Sequence, residues 1–326
     1  MLIDELITEL TPTAGADIRP MLSRLKSAQK FVLGPEFAAV AEALAEDYSG
    51  LVKVFDRCRL PYAETWIEFL QADRPRFAAA GVQLPEIQKV PHRIGALLTA
   101  TATDLSAWKA HLFWSFKDQP GCCGTALCAM AFDMTTPIYH QTELPTEQAL
   151  SSRQFFANRN ITPHPGWLSA SDEIRLKMSN HTGIMPPDFI IDIPDVPPSK
   201  YKELNALLYD MARSDWAGEV PYILAVIGLL NARNATETET VDHTRLNKAR
   251  SKSGKPPLFE HKILKIARRQ VQRVYPDGKK DNTHAPMRAA FVRGHFKARR
   301  TGIFFWSPYL RGDLTRGRID KTYELE

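Results

Sequence analysis

Apolar residues recur at helical spacing near the start of the chain, then give way to short aromatic and β-branched runs after about residue 50. Ile18 to Leu33 places Ile18, Met21, Leu22, Leu25 and Val32 close to a 3.6-residue period, which predicts a helix. Pro35-Glu36 opens a second helix, Phe37 to Tyr48, with Phe37, Val40, Ala41 and Leu44 on one stripe. Leu51 to Phe55, Thr65 to Leu70, Ile94 to Ala102, Ala107 to Phe116 and Thr125 to Phe132 then read as strands. Turn material at Asp104 and at Asp118-Gln119-Pro120-Gly121 separates some of them. Short connections between successive strands predict an antiparallel meander rather than βαβ units.

The pattern weakens from Pro137 to Ser199, where nine prolines and polar groups such as Asn158-Arg159-Asn160 and His164 predict a long connection with one strand at Phe189 to Ile193. Periodicity returns in Lys200 to Arg213, with Tyr201, Leu204, Leu207, Leu208 and Met211 in phase, and in Trp216 to Ala232, which is apolar on most sides. These two helices are expected to form a hairpin against the meander. Ala235 to Pro257 is almost free of large apolar groups and reads as a basic linker or mobile loop. Beyond it, Leu258 to Ala267, Arg288 to Lys297 and Gly302 to Tyr309 read as strands. The expectation is an α+β chain: a domain of N-terminal helices, antiparallel meander and helical hairpin over residues 1–234, the linker over 235–257, and a small basic β-rich module with a β-hairpin over 258–326.

Composition narrows the class. The chain has 326 residues, 44% hydrophobic and 24% charged, which excludes a wholly disordered chain, a collagen-like fibre and a disulfide-dense miniprotein. Tyr222 to Leu230, the longest apolar run, is too short to span a membrane. Charge adds more. Residues 244–326 hold 21 Lys+Arg against 7 Asp+Glu, a net of +14, while residues 1–243 hold 21 against 30, a net of −9. So lopsided a distribution predicts a polyanionic partner for the basic end, nucleic acid above all. The alternative is an acidic surface, on a protein partner or on this chain itself.

Cys58, Cys122, Cys123 and Cys128 include no CxxC pair, and no secretory leader is evident, so a reducing, cytoplasmic setting is expected. With Gly124 to Asp133 as one strand, Cys123 and Cys128 stand roughly 16 Å apart, too far to share a zinc ion. These thiols are therefore expected to be structural, with no metal. No phosphate loop or dinucleotide fingerprint follows any strand, so no cofactor is implied. His284, His295, Ser307 and Asp313 match no catalytic spacing, and no catalytic residue is assigned.

One constellation remains. Strand alternation places Arg293, His295, Lys297 and Arg299 on one face and Ala290, Val292, Gly294 and Phe296 on the other. Arg300 lies in the following turn and Arg311 at the exit. Such a stripe can follow phosphates while Phe305 or Tyr309 offers a surface for unpaired bases. The plainer reading makes the aromatics the core of a small sheet and the cations its solvated face. Lys248, Arg250, Lys252 and Lys255 add a mobile basic arm.

The segments Arg293-Gly294-His295-Phe296-Lys297 and Phe304-Phe305-Trp306-Ser307-Pro308-Tyr309-Leu310-Arg311-Gly312 resemble the tails of uncharacterised proteins encoded by bacteriophages and prophages. Leu246-Asn247-Lys248-Ala249-Arg250 and Leu60-Pro61-Tyr62 fit the same likeness. It implies a bacterial host cell and brings no activity with it. Two functions follow as expectations: a non-enzymatic nucleic-acid-binding protein, or an assembly or host-inhibiting component whose basic tail meets an acidic protein.

Overall fold

The computed structural model describes residues 1–12, 18–74, 91–126, 128–143, 164–185, 216, 218–267, 288–311 and 313–319. The protein is α+β. Its frame is a nine-stranded sheet with helices on both faces. Along the chain come α1 (Leu2–Leu10), α2 (Arg19–Ser27), β1 (Gln29–Leu33), α3 (Pro35–Ala45) and α4 (Tyr48–Val52). Then come β2 (Glu64–Leu70), β3 (Arg93–Ala100), β4 (Ala107–Phe116), β5 (Gln119–Thr125) and β6 (Ala129–Asp133). The second half adds α5 (Pro165–Ser169), α6 (Asp172–His181), β7 (Thr182–Met185), α7 (Glu219–Asn231), β8 (Thr236–Val241), α8 (Thr244–Lys252) and β9 (His261–Ile266).

The strands run in the order β7-β6-β4-β3-β2-β1-β9-β8, with β5 beside β6 on the same edge of β4. The antiparallel meander is present as β2-β3-β4. The sheet as a whole is mixed, because β1 pairs in parallel with both β2 and β9. The single helix expected over Ile18 to Leu33 is therefore two elements. Ala28 turns to an extended backbone after α2, and Gln29–Leu33 becomes a central strand. Five residues are too few to reveal a period, and pairing on both sides outweighs local helix preference.

Leu51 to Phe55, expected as a strand, closes α4 and enters a 3-10 turn, Phe55–Arg57. The expected strand Thr125 to Phe132 is interrupted between β5 and β6, so the continuous strand invoked for the Cys123–Cys128 spacing does not exist. Cys58, Cys123 and Cys128 are thiols rather than disulfides, and burial pushes the thiol of Cys58 up to about 12.

The stretch read as a long connection contributes α5, α6 and β7 to the body of the fold. The strand expected at 189–193 and the helix expected at 200–213 lie outside the described residues, so only α7 of the helical hairpin is seen. Residues 235–257 are not a structureless linker. Thr236–Val241 is the edge strand β8, antiparallel to β9, and Thr244–Lys252 is a helix. Its polar sequence reflects an exposed edge strand and a helix with no buried residue.

Each face of the sheet buries a core. Leu2, Ile3 and Leu6 of α1 and Met21 and Leu25 of α2 cover Trp66, Leu97 and Phe113 on one side. The alternate residues Ile67, Phe69, Leu98 and Leu112 meet α3, α4 and α7 on the other. Glu68, fully buried, ties the first layer down: it accepts hydrogen bonds from the Leu2 amide (2.9 Å), Trp66 Nε1 (3.2 Å) and Arg93 (2.9 Å).

Lys30 is buried beside this layer, donating to the carbonyls of Lys26 (2.9 Å) and Ala28 (2.6 Å), with its ammonium 4.5 Å from the Phe259 ring centre. Burial pushes its pKa down from 10.5 to about 8, against the pull of Asp4 and Glu64. The unfolded chain then holds the proton more tightly. Lys30 costs stability below about pH 8, and that cost is relieved as the pH rises to 10.5. Urea unfolding of the protein and of Lys30→Met should show the variant's relative advantage shrinking across this window. A difference that does not change with pH contradicts the account.

Candidate nucleic-acid interface

The basic C-terminal sequence folds into two further sheets. The segment Arg288 to Lys297, expected as one strand, breaks at Arg293-Gly294 into β10 (Arg288–Val292) and β11 (His295–Arg299). β10 joins β13 (Tyr309–Arg311) and β14 (Asp313–Ile319) in a three-stranded sheet. β11 pairs instead with β12 (Gly302–Trp306) in an antiparallel hairpin. The connection is the two-residue turn Arg300-Thr301, shorter than the four-residue joint expected from the sequence.

Register assigns the faces. His295 lies opposite Trp306, Phe296 opposite Phe305, Lys297 opposite Phe304, Ala298 opposite Ile303 and Arg299 opposite Gly302. Residues directly opposite one another project to the same side. The outward face therefore carries His295, Lys297, Arg299, Phe304 and Trp306. The inward face carries Phe296, Ile303 and Phe305, all buried.

Four contacts hold the hairpin to the body. The Phe296 ring covers Gly228 of α7 so closely that a Cβ there would come within 2.7 Å of it. The Asn234 side chain grips the backbone of Phe305 twice, accepting from its amide (2.9 Å) and donating to its carbonyl (2.8 Å). The Arg233 amide donates to the Ile303 carbonyl at 3.1 Å, and Arg57 donates to the carbonyl of Arg299.

On the outward face the cations lie against the rings. The Lys297 ammonium is 4.5 Å from the centre of the Trp306 ring, and the His295 ring is 5.8 Å from it. The Arg299 guanidinium is 5.7 Å from the Phe304 ring. Trp306 is 39% exposed, whereas the other five tryptophans are buried or half-buried. Of the two rings expected to face a ligand, Phe305 belongs to the core and the side chain of Tyr309 lies outside the description.

The remaining expected residues divide. Arg300 is exposed at the turn, next to Arg299. Arg293 has left the strand; its side chain is exposed and lies 3.7 Å from Glu46. Arg311 belongs to β13, and its side chain is not described. Lys248 and Lys252 lie on α8 with Arg245, at a spacing that puts the three on one helical face. The segment expected as a mobile arm forms this helix and a hydrogen-bonded return. Asn247 bonds both backbone groups of Leu258, at 2.8 and 2.9 Å, and Arg250 donates to the Pro256 carbonyl at 2.8 Å. Lys255 is exposed in the return from the helix.

The two basic groups do not merge. β8 starts beside the hairpin and ends at α8, so its six residues separate them by roughly 20 Å, with Glu237 and Glu239 between. Glu239 is paired with Lys265, whose hydrogen bond holds the carboxyl below its usual range.

Trp306 and Arg233 are the residues that sequence reasoning passed over. Trp306 was passed over because its side follows from the register of the two-residue turn and from the packing of Phe296 behind it. Arg233 was missed because it is 69 positions from Gly302 in the chain, yet its Nε lies 3.0 Å from where a Gly302 Cβ would stand. Gly302 also has φ +139°, a conformation that side-chain-bearing residues avoid. Gly302→Val should therefore lower stability by about 1–3 kcal/mol in thermal unfolding and loosen the hairpin; an unchanged melting temperature contradicts this.

Among the described residues no group of three His, Cys, Asp or Glu side chains is placed to hold a metal ion, and no helix is long and apolar enough to cross a membrane. Comparison with protein-family models, curated proteins and solved structures finds no match to this chain.

Proposed function

We propose that this chain is a nucleic-acid-binding protein, without catalytic activity, whose β11–β12 hairpin contacts phosphates in the cytoplasm of a bacterial cell, in a phage or prophage setting. The observation that carries the reading is the outward face of the hairpin. His295, Lys297 and Arg299 line one side of a ribbon whose other side is packed into the core, and Arg300 and Arg233 extend that cationic edge around the turn. None of these four Lys and Arg side chains is drawn into one of the ion pairs described for the fold, so their charge is directed to solvent. A ribbon anchored in this way presents cations at fixed spacing, which suits a regular polyanion. The face of α8 with Arg245, Lys248 and Lys252 supplies a second point of contact about 20 Å away for a ligand long enough to reach it.

The test is binding of the nuclease-treated protein to labelled DNA and RNA across a salt series. The affinity should fall linearly with salt on logarithmic axes, with a slope near one per phosphate contact. Absence of binding at low salt overturns the reading and turns attention to an acidic protein partner.

A further inference from the structure

From the Trp306 surface we infer that the ligand of the hairpin is single-stranded nucleic acid, with a base stacked on the Trp306 ring and the flanking phosphates held by Lys297 and Arg299. This rests on the function proposed above and specifies the substrate class of the same site. A lone exposed aromatic needs no explanation. Trp306 differs in what surrounds it and in how it is held. Its partner across the strands, His295, and its diagonal neighbour Lys297 both lie against the ring, at 5.8 and 4.5 Å. Its strand is fixed from behind by buried Phe305 and by the two Asn234 hydrogen bonds. The exposed ring is thus a fixed platform rather than a loose end.

Magnitudes decide what occupies it. An ammonium over an exposed aromatic ring is favoured by only about two- to fivefold. A base stacked on the same ring is favoured by roughly five- to a hundredfold. The ring therefore exchanges its ammonium for a base, and the freed Lys297 reaches the phosphate beside that base. Arg299, next on the same face and lying over Phe304, has the position to meet the following phosphate. In a duplex the bases are already stacked on one another and cannot reach the platform, so only unpaired strands collect the ring's contribution.

The experiment measures anisotropy of labelled oligo(dT), oligo(U) and a duplex of equal length, each of about a dozen nucleotides, with the native protein, Trp306→Ala and Trp306→Phe. Tryptophan emission is followed in parallel, since Trp306 is the exposed one of the six tryptophans. Either single strand should bind more tightly than the duplex and quench the emission. Trp306→Ala should weaken single-strand binding by roughly five- to a hundredfold and leave the salt slope and duplex binding unchanged; Trp306→Phe should restore most of the loss. Equal affinity for single strand and duplex, unaffected by Trp306→Ala, overturns the stacking role while leaving phosphate contact standing. Salt-dependent binding to none of the three overturns the function on which it rests.

Discussion

Arg74→Ala is expected to remove about 3–5 kcal/mol of stability, a large share of what a folded domain has in total. Arg74 is completely buried directly after the 3-10 turn Gln71–Asp73 that follows β2. Its Nε lies 2.6 Å from Glu42 on α3, and one terminal nitrogen is shared by both oxygens of Glu219, at 2.7 and 2.8 Å, at the start of α7. The guanidinium lies 4.1 Å from the centre of the Tyr222 ring and 5.4 Å from that of Phe69. Burial alone works to lower its pKa, but Glu219 and Glu42 outweigh that effect and hold the guanidinium charged. Deleting the side chain leaves two buried carboxylates without their shared cation, and three elements lose their common joint. Urea unfolding measures the loss. Replacing the whole set (Glu42→Gln, Arg74→Met, Glu219→Gln) should recover a substantial part, because no uncompensated charge then remains. A loss below about 1 kcal/mol for Arg74→Ala alone contradicts the account.

The second large effect concerns binding. Changing Lys297, Arg299 and Arg300 together to Ala should reduce the salt slope for nucleic acid by about two to three and weaken binding on the order of a hundredfold in moderate salt. All three side chains are exposed and their Cα positions lie on a hairpin secured from its other face, so the melting temperature should change little. That separates this variant from Gly302→Val, which acts on the hairpin itself. If the triple variant keeps the native slope, phosphate contact lies elsewhere. The same changes on α8 (Arg245, Lys248 and Lys252 to Ala) would then identify the surface responsible.

Much of the frame was legible in short-range pattern. The apolar runs rich in aromatic and β-branched residues at Thr65–Leu70, Ile94–Ala102 and Ala107–Phe116 predict β2, β3 and β4 within two residues at either end, because strands covered by a core on both faces are apolar nearly throughout. The stripe of α3 and the apolar run of α7 were equally plain. The failures share a cause. β1 reads as the tail of a helix, yet it is central in the sheet through pairing with strands more than 30 and more than 200 positions away. β8 reads as a linker because an edge strand with little behind it has no reason to be apolar.

The distribution of charge, the presence of a basic hairpin and the class of the fold are properties of the sequence alone, since they follow from composition and periods that neighbouring residues impose. Which aromatic is offered to a ligand is not. Phe305 and Trp306 are adjacent and alike in composition, and only the register with His295 and the packing of Phe296 on Gly228 send one inward and the other outward. The same holds for Arg74 and its two carboxylates, for Arg233 beside Gly302, and for the separation of the two basic groups along β8. Each depends on contacts between residues far apart in the chain, which no local period can encode.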